Sequence, residues 1–373
     1  MTKNLIINEV DGRMLLNSVP GVGPVTFQHL LDCFNHEPSK ILSANEAELR
    51  SVKGVGKLVS EAITNSASSG WIEKEKEKLT KIGGVFLLGD QVSKYLKELS
   101  DPPLGLYCLG EIPYLPCISI VGTRVPSNYG KKMARMIAGD LAKAGICVVS
   151  GMARGIDTEA HLGALDAGGK TIAFLGSGLD IIYPPENLNL YRKIQQSGAV
   201  LSEFPLGRKA DRRTFPMRNR LVAGVSLGVL VIESAKTGGS MITARLAGEQ
   251  GRTVFALPGR VDQPESQGCL ELIRDGATLV RNANDILDEI TPMLSEFNVS
   301  NKAIQSLGKQ EESLILEQNE QVIMNLLREG DTLSIDQLQL ATKIPLSGIT
   351  SSITMLEIQG FVSKRADGNY EAT

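Results

Sequence analysis

Six apolar runs of strand length punctuate the middle of the chain: CISIVG at 117–122, ICVVSG at 146–151, TIAFLG at 171–176, AVLSEF at 199–204, LGVLVIES at 227–234 and TVFALPG at 253–259. Each is separated from the next by a stretch long enough for a helix. A strand with one solvated face alternates apolar and polar residues, so uninterrupted apolar runs mean strands buried on both faces. Strands alternating with helices then predict a doubly wound, mostly parallel α/β sheet of the Rossmann-like kind. TLVRNA at 278–283 predicts a seventh short strand, and a helix around Asp285 to Ile290 closes the domain. The chain has 373 residues, too many for one such sheet, so flanking domains are expected.

On the N-terminal side, VPGVGP at 19–24 and VKGVGK at 52–57 place Gly21 and Gly54 33 residues apart. Both fit a helix-hairpin-helix, in which glycines permit a tight turn and bare the amides of the second helix to a phosphate. Apolar residues follow each turn at helical spacing: Val25, Leu30 and Leu31, then Leu58, Val59, Ala62 and Ile63. A small helical bundle that packs or binds protein fits equally well, because residues 1–65 carry six basic against seven acidic side chains. The charged segment at 67–84 reads as a solvated connecting helix and 85–116 as a short mixed lead-in.

Beyond the sheet, residues 294–315 are polar and without period, a linker. The end predicts three helices (Glu320 to Arg328, Ile335 to Thr342, Ser347 to Ile358), then Phe361 to Ser363, a turn at Asp367-Gly368 and a last strand, together a winged helix. The expected domains are 1–75, 76–293, a linker at 294–315, and 316–373.

Ligands of an open parallel sheet bind beyond the carboxyl ends of its strands. There the chain concentrates Gly122-Thr123-Arg124, Gly151 with Arg154, Gly176-Ser177-Gly178, and Lys236-Thr237-Gly238-Gly239-Ser240. The net charge is −3, yet 207–220 hold Arg208, Lys209, Arg212, Arg213, Arg218 and Arg220 against Asp211, a local +5. Eight or more cations are thus expected around one crevice, as a phosphate-bearing ligand requires. Phe215 interrupts the basic run, and a ring among guanidinium groups suits a single strand, whose bases stack while its phosphates are held.

Other chemistries fit less well. Gly169-Lys170-Thr171 has Ala164 where a phosphate-binding loop of the Walker type needs glycine, and it precedes a strand. Gly176-Ser177-Gly178 lacks the third glycine of a dinucleotide fingerprint, Ile181 standing there. No cofactor is expected. Three histidines and five cysteines without a CxxC pair argue against a metal centre or a disulfide framework. His161 lies inside a predicted helix and reads as a packed residue, and Asp157 as a structural partner that orients Arg154. No run approaches the roughly 20 apolar residues of a membrane helix, and MTKNLIINEVDGRM lacks signal-peptide order. No membrane association and a cytoplasmic location are expected.

GTR at 122–124, SGMARGID with Ala160-His161, FPMRNR at 215–220 and SAKTGGSMITARLAGEQGRTVFALPG at 234–259 together resemble the DNA-processing protein A family, DprA or Smf. The resemblance covers about 105–290. It implies a non-enzymatic protein of natural transformation that binds and protects incoming single-stranded DNA, helps load the RecA recombinase, and forms a homodimer through its Rossmann-like domain. It carries DNA contact over to Arg124, Arg212 and Phe215, and to Arg218 and Arg220 unless these pair with acids such as Glu233 or Asp157. With the glycine turns, the expected DNA-binding set is Gly122, Thr123, Arg124, Gly151, Arg154, Arg208, Lys209, Arg212, Phe215, Arg218, Arg220, Lys236, Gly238, Gly239 and Ser240. The winged helix departs from a duplex reader: 316–373 hold four basic and eight acidic residues, and its third helix has no cation. An alternative is a nucleotide phosphoribohydrolase of the Lonely Guy type, which is similar in its paired-glycine turn. In that family an acidic catalytic residue follows nearby in the same helix, whereas here Glu249 comes ten residues after Gly239.

Overall fold

The computed structural model describes residues 8–297, 318–328, 332–358, 361–365 and 367–372. The chain divides into two compact units, Met1–Leu307 and Gly308–Thr373.

The larger unit is built on a nine-stranded sheet: β1 (Val85–Leu87), β2 (Leu106–Gly110), β3 (Cys117–Gly122), β4 (Cys147–Ser150), β5 (Thr171–Leu175), β6 (Ala199–Ser202), β7 (Gly228–Ile232), β8 (Thr253–Ala256) and β9 (Thr278–Leu279). Its order is β1-β2-β6-β5-β4-β3-β7-β8-β9. β3 to β9 run parallel, while β2 lies antiparallel to β6 and β1 antiparallel to β2. All six apolar runs are strands, and the lead-in at 85–116 supplies the two antiparallel ones. Alternate side chains of β3 explain the unbroken pattern: Ile118 and Ile120 enter one core with Ala134 and Ile137, Cys117 and Val121 the opposite core with Leu221 and Val222. β9 stops at Leu279 because Asn282 caps the next helix, Ala283–Ile290, accepting from the amides of Asn284 and Asp285.

The N-terminal repeat forms two short helix pairs. Gly21 and Gly54 hold φ of +88° and +89°, a region that glycine enters without strain. The helices Pro24–Cys33 and Lys57–Ser66 follow, each with a glycine N-cap that offers no side-chain hydrogen bond. The two pairs pack reciprocally. A β-carbon on Gly21 would stand 2.7 Å from Val59, and one on Gly54 would stand 3.6 Å from Thr26, residues related by the same 33-residue offset. Leu30, Leu31 and Ile63 are buried as the spacing predicts, but Val25 and Leu58 are 56% and 80% exposed. Both sit in the first turn of their helix, beside the open hairpin rather than beneath it.

The segment at 67–84 is not a solvated connector. Its helix, Trp71–Lys81, buries Glu75 and Leu79. The Glu75 carboxylate accepts from the Leu206 amide at 2.7 Å, in the chain that follows β6. Burial raises the Glu75 carboxyl, and that amide and a nearby lysine offset part of the rise.

The predicted linker begins inside the larger unit: Thr291–Phe297 is a 3₁₀ segment with Leu294 buried and Phe297 against Tyr114 at 6.0 Å. The rest of it, 298–315, lies outside the described residues. The smaller unit has helices Gln318–Arg328, Ile335–Thr342 and Leu346–Ile358 and an antiparallel pair, β10 (Val362–Lys364) and β11 (Tyr370–Ala372). Ile349, Ile353 and Leu356 join Ile323, Leu327 and Leu338 in its core. Ser352 of the third helix is buried with them, while Thr350, Ser351 and Thr354 are exposed.

A candidate nucleic-acid interface at the switch point of the sheet

From β3 the chain winds outward through β4, β5 and β6 to one side, then returns through β7 to β8 and β9 on the other. The loops after β3 and β7 therefore diverge and leave a crevice between them, where a doubly wound sheet binds its ligand. That crevice has a volume of about 510 Å³ and gathers Gly122, Thr123 and Arg124 with Gly238, Gly239 and Ser240. Arg212 and Phe215 line it as well, with the buried Arg218 at its floor. Gly238 is the N-cap of the helix Gly239–Glu249 and gives it no side-chain bond, so amides at the positive end of the helix dipole face the opening.

The basic segment is partly helical, Thr214–Gly224, with Pro216 in the first turn where the missing amide costs nothing. Asp211 sets its start. One carboxylate oxygen accepts from the amides of Arg213 at 2.7 Å and Thr214 at 3.1 Å, and the other pairs with Arg208 at 2.5 Å. Arg212 and Lys209 are exposed and have no ion pair among the described residues. Arg124 is exposed as well, with its guanidinium 5.1 Å from the centre of the Phe215 ring.

The remaining predicted cations are held differently. Arg218 is buried against Asp157 at 3.9 Å and packs so closely on Gly151 that a β-carbon there would stand 1.1 Å from its Nη1. Asp157 also accepts from the amides of Gly151 at 3.1 Å and Ala153 at 3.2 Å. Burial raises its carboxyl, which the Arg218 charge and these amides oppose, and burial lowers the Arg218 guanidinium. Asp157 thus orients Arg218 and not Arg154, whose partner is Glu186 at the rim. Arg220 does not reach the crevice. It is buried with Glu203 at 2.5 Å and Asp101 at 3.2 Å. Lys236 is exposed and pairs with Glu271 at 3.1 Å. Of the cations expected around one crevice, Arg124, Lys209, Arg212 and Arg213 remain exposed and outside ion pairs among the described residues.

Sequence reasoning missed Tyr183. Its ring is 5.8 Å from Phe215 and lies under Arg154 at 5.9 Å. With Phe215, Arg124, Arg154 and Gly151 it lines a small pocket adjoining the crevice. The available signal was an aromatic residue in a proline-bounded loop after a strand.

Acid–base chemistry finds little support. His161 is buried, its Nδ1 2.7 Å from the Thr171 hydroxyl, and burial with the Arg218 charge pushes it down to about 3. Glu233, with φ of +49°, accepts from the Ser127 amide at 2.8 Å and occupies the N-terminus of the helix Asn128–Lys143. A dinucleotide enzyme of this architecture keeps that helix end open for pyrophosphate. Glu249 is exposed and pairs with Arg245 at 3.5 Å. Among the described residues there is no cluster of metal-ligating side chains, and no helix is long and apolar enough to cross a membrane.

A mostly parallel, doubly wound sheet with guanidinium groups, an aromatic ring and open amides at its switch point defines a Rossmann-like domain with a basic crevice. The sequence model of a family described as DNA recombination-mediator protein A matches residues 85–291. Protein Smf of Synechocystis is 34% identical over 95% of this chain and 96% of its own length. The fold of DNA processing protein A from Streptococcus pneumoniae covers 75% of this chain and 97% of that one, with a TM-score of 0.67 and 31% identity. That of Helicobacter pylori, described for its single-stranded DNA binding mode, covers 58% and 97% with a TM-score of 0.51 and 34% identity. The chain belongs to the DNA recombination-mediator protein A family, the DprA/Smf proteins.

Proposed function

We propose that the chain is a non-enzymatic, cytoplasmic binder of single-stranded DNA that protects the strand and helps load a RecA-type recombinase, acting as a homodimer through its Rossmann-like domain. The observation that carries the binding part is the guanidinium of Arg124 over the Phe215 ring at the switch point, with Arg212, outside ion pairs among the described residues, lining the same crevice. Phosphates then meet Arg124, Arg212 and the amides at Gly238 and Gly239, while a base stacks near Phe215. Contacts of this kind follow the backbone, so little sequence preference is expected. The description of the family as a recombination mediator supports the recombinase step, and the study of the Helicobacter relative supports the single strand as ligand. Glu233 seated at the N-terminus of the helix Asn128–Lys143, the first after β3, weighs against a nucleotide hydrolase.

The test is binding of a dT oligonucleotide by fluorescence anisotropy across a salt series. Arg124→Ala and Arg212→Ala should each weaken binding about tenfold or more, the worth of a charge-assisted contact. Each should also flatten the slope of log K against log salt by about 0.7. If both bind as wild type does, the site is elsewhere.

A further inference from the structure

We propose that Tyr183 is a second base-stacking residue, which carries a single strand from Phe215 into the adjoining pocket. This rests on the reading that the crevice takes single-stranded DNA, and it adds a residue and a path to it.

Three loops and the first turn of one helix each contribute one side chain to a continuous row. Arg124 follows β3, Arg154 follows β4, Tyr183 follows β5 and Phe215 follows β6. The order in space is guanidinium, ring, ring, guanidinium, with separations of 5.1 Å from Arg124 to Phe215, 5.8 Å between the rings, and 5.9 Å from Tyr183 to Arg154. The rings are inclined at 44° and so do not stack flat on one another. Packing does not account for Tyr183. It is 39% exposed, unlike the buried Tyr107 and Tyr191, and of the exposed tyrosines Tyr114, Tyr129 and Tyr183 it is the one that lines this pocket. An exposed ring between a base-stacking candidate and a cation is what a single-strand path needs. Stacked nucleotides advance about 3.4 Å per step and extended ones further, so two rings 5.8 Å apart can take neighbouring bases of an extended strand.

The two ends of the row differ. Arg124 has no ion pair among the described residues, but Arg154 is paired with Glu186. At the Tyr183 end, affinity therefore depends on the ring more than on free charge.

The experiment uses the full chain and two probes: a dT oligonucleotide and an abasic deoxyribose-phosphate strand of the same length. Tyr183→Ala should weaken the dT strand about tenfold with an unchanged salt slope, and leave the abasic strand within about twofold. Tyr183→Trp should retain dT binding, and Tyr183→Leu, which keeps bulk without an aromatic face, should not. Equal loss on both strands, or wild-type affinity in Tyr183→Leu, would make Tyr183 a packing residue and overturn the inference. If Tyr183→Ala has no effect while Phe215→Ala and Arg124→Ala weaken dT binding, the inference fails and the crevice stands. If none of the three weakens it, the crevice reading itself fails.

Discussion

The mouth of the crevice and the layer beneath it draw on the same fourteen residues, 207–220, and use them in opposite ways. At the mouth Arg212, and beside it in the chain Lys209 and Arg213, remain exposed and outside ion pairs among the described residues. Beneath, Arg218 and Arg220 are each 5% exposed and matched to Asp157 and to Glu203 with Asp101. A count of cations therefore does not measure a binding surface. Cations become available to a phosphate only after the fold has matched some of them to its own acids, and here the helix Thr214–Gly224 turns its later arginines inward.

The largest expected effect separates the two layers by stability. Arg220→Ala leaves the Glu203 carboxylate, 4% exposed, without its main partner. Removing one side of a buried pair typically costs about 3–5 kcal/mol, and the urea midpoint should fall accordingly. Arg212→Ala, on the surface, should change stability by less than about 0.5 kcal/mol while weakening DNA. Equal stability of the two variants would erase the distinction between mouth and layer.

A pH series sharpens the same contrast at smaller amplitude. The His161 imidazole is neutral in the folded chain and titrates at about 3, whereas in the unfolded chain it titrates near ~6.5. Between these values the unfolded chain binds a proton that the folded chain refuses, so stability falls as pH drops below ~6.5, by about 1.4 kcal/mol per unit. His161 alone should then remove about 2 kcal/mol between pH 7 and pH 5. Urea titrations of the His161→Gln variant should show that much less loss over the interval. An identical pH dependence in the variant would mean that His161 protonates without penalty and is not sealed in this layer.

The same division between local pattern and distant partner explains what the sequence disclosed. β3 to β8 were legible because burial on both faces leaves unbroken apolar runs, and the crevice because switch-point loops bear glycines and cations next to those runs. β2 was not, since LYCLG lies in a proline-rich lead-in and becomes a strand only by pairing antiparallel with β6. Nor was the docking of the helix Trp71–Lys81: its alternating Glu and Lys read as solvated, and Glu75 is buried only because the Leu206 amide, 131 residues away, meets it. The fate of Arg220 depended on Asp101 and Glu203, which no spacing links to it. Tyr183 was hidden before two prolines, with only acidic residues, Asp180 and Glu186, near it in sequence and no cation to mark it.

The smallest effect is expected from the C-terminal unit, where the same accounting leaves Lys343 and Lys364 exposed and outside ion pairs among the described residues, neither of them on the third helix. Arg365 pairs with Glu371 at 2.6 Å and Asp367 at 3.6 Å, and Lys364 lies 5.6 Å from the Tyr370 ring. On the outer face of the third helix, Thr350 and Thr354 donate their hydroxyls to carbonyls of their own helix, Leu346 and Thr350, at 2.9 and 2.8 Å. Leu346 and Met355 are half exposed beside them. Such a face has no cation to hold a duplex backbone, and its apolar and neutral character suits a protein contact. We therefore expect a regulatory or recruiting role for this unit. Deletion after residue 312 should leave dT affinity within a few-fold of the full chain, less than about 1 kcal/mol. The fragment 313–373, which has its own core, should not shift duplex DNA at physiological salt. A clear shift would mean that so few cations suffice to hold a duplex, and the contrast with the crevice would then fail at its weakest point.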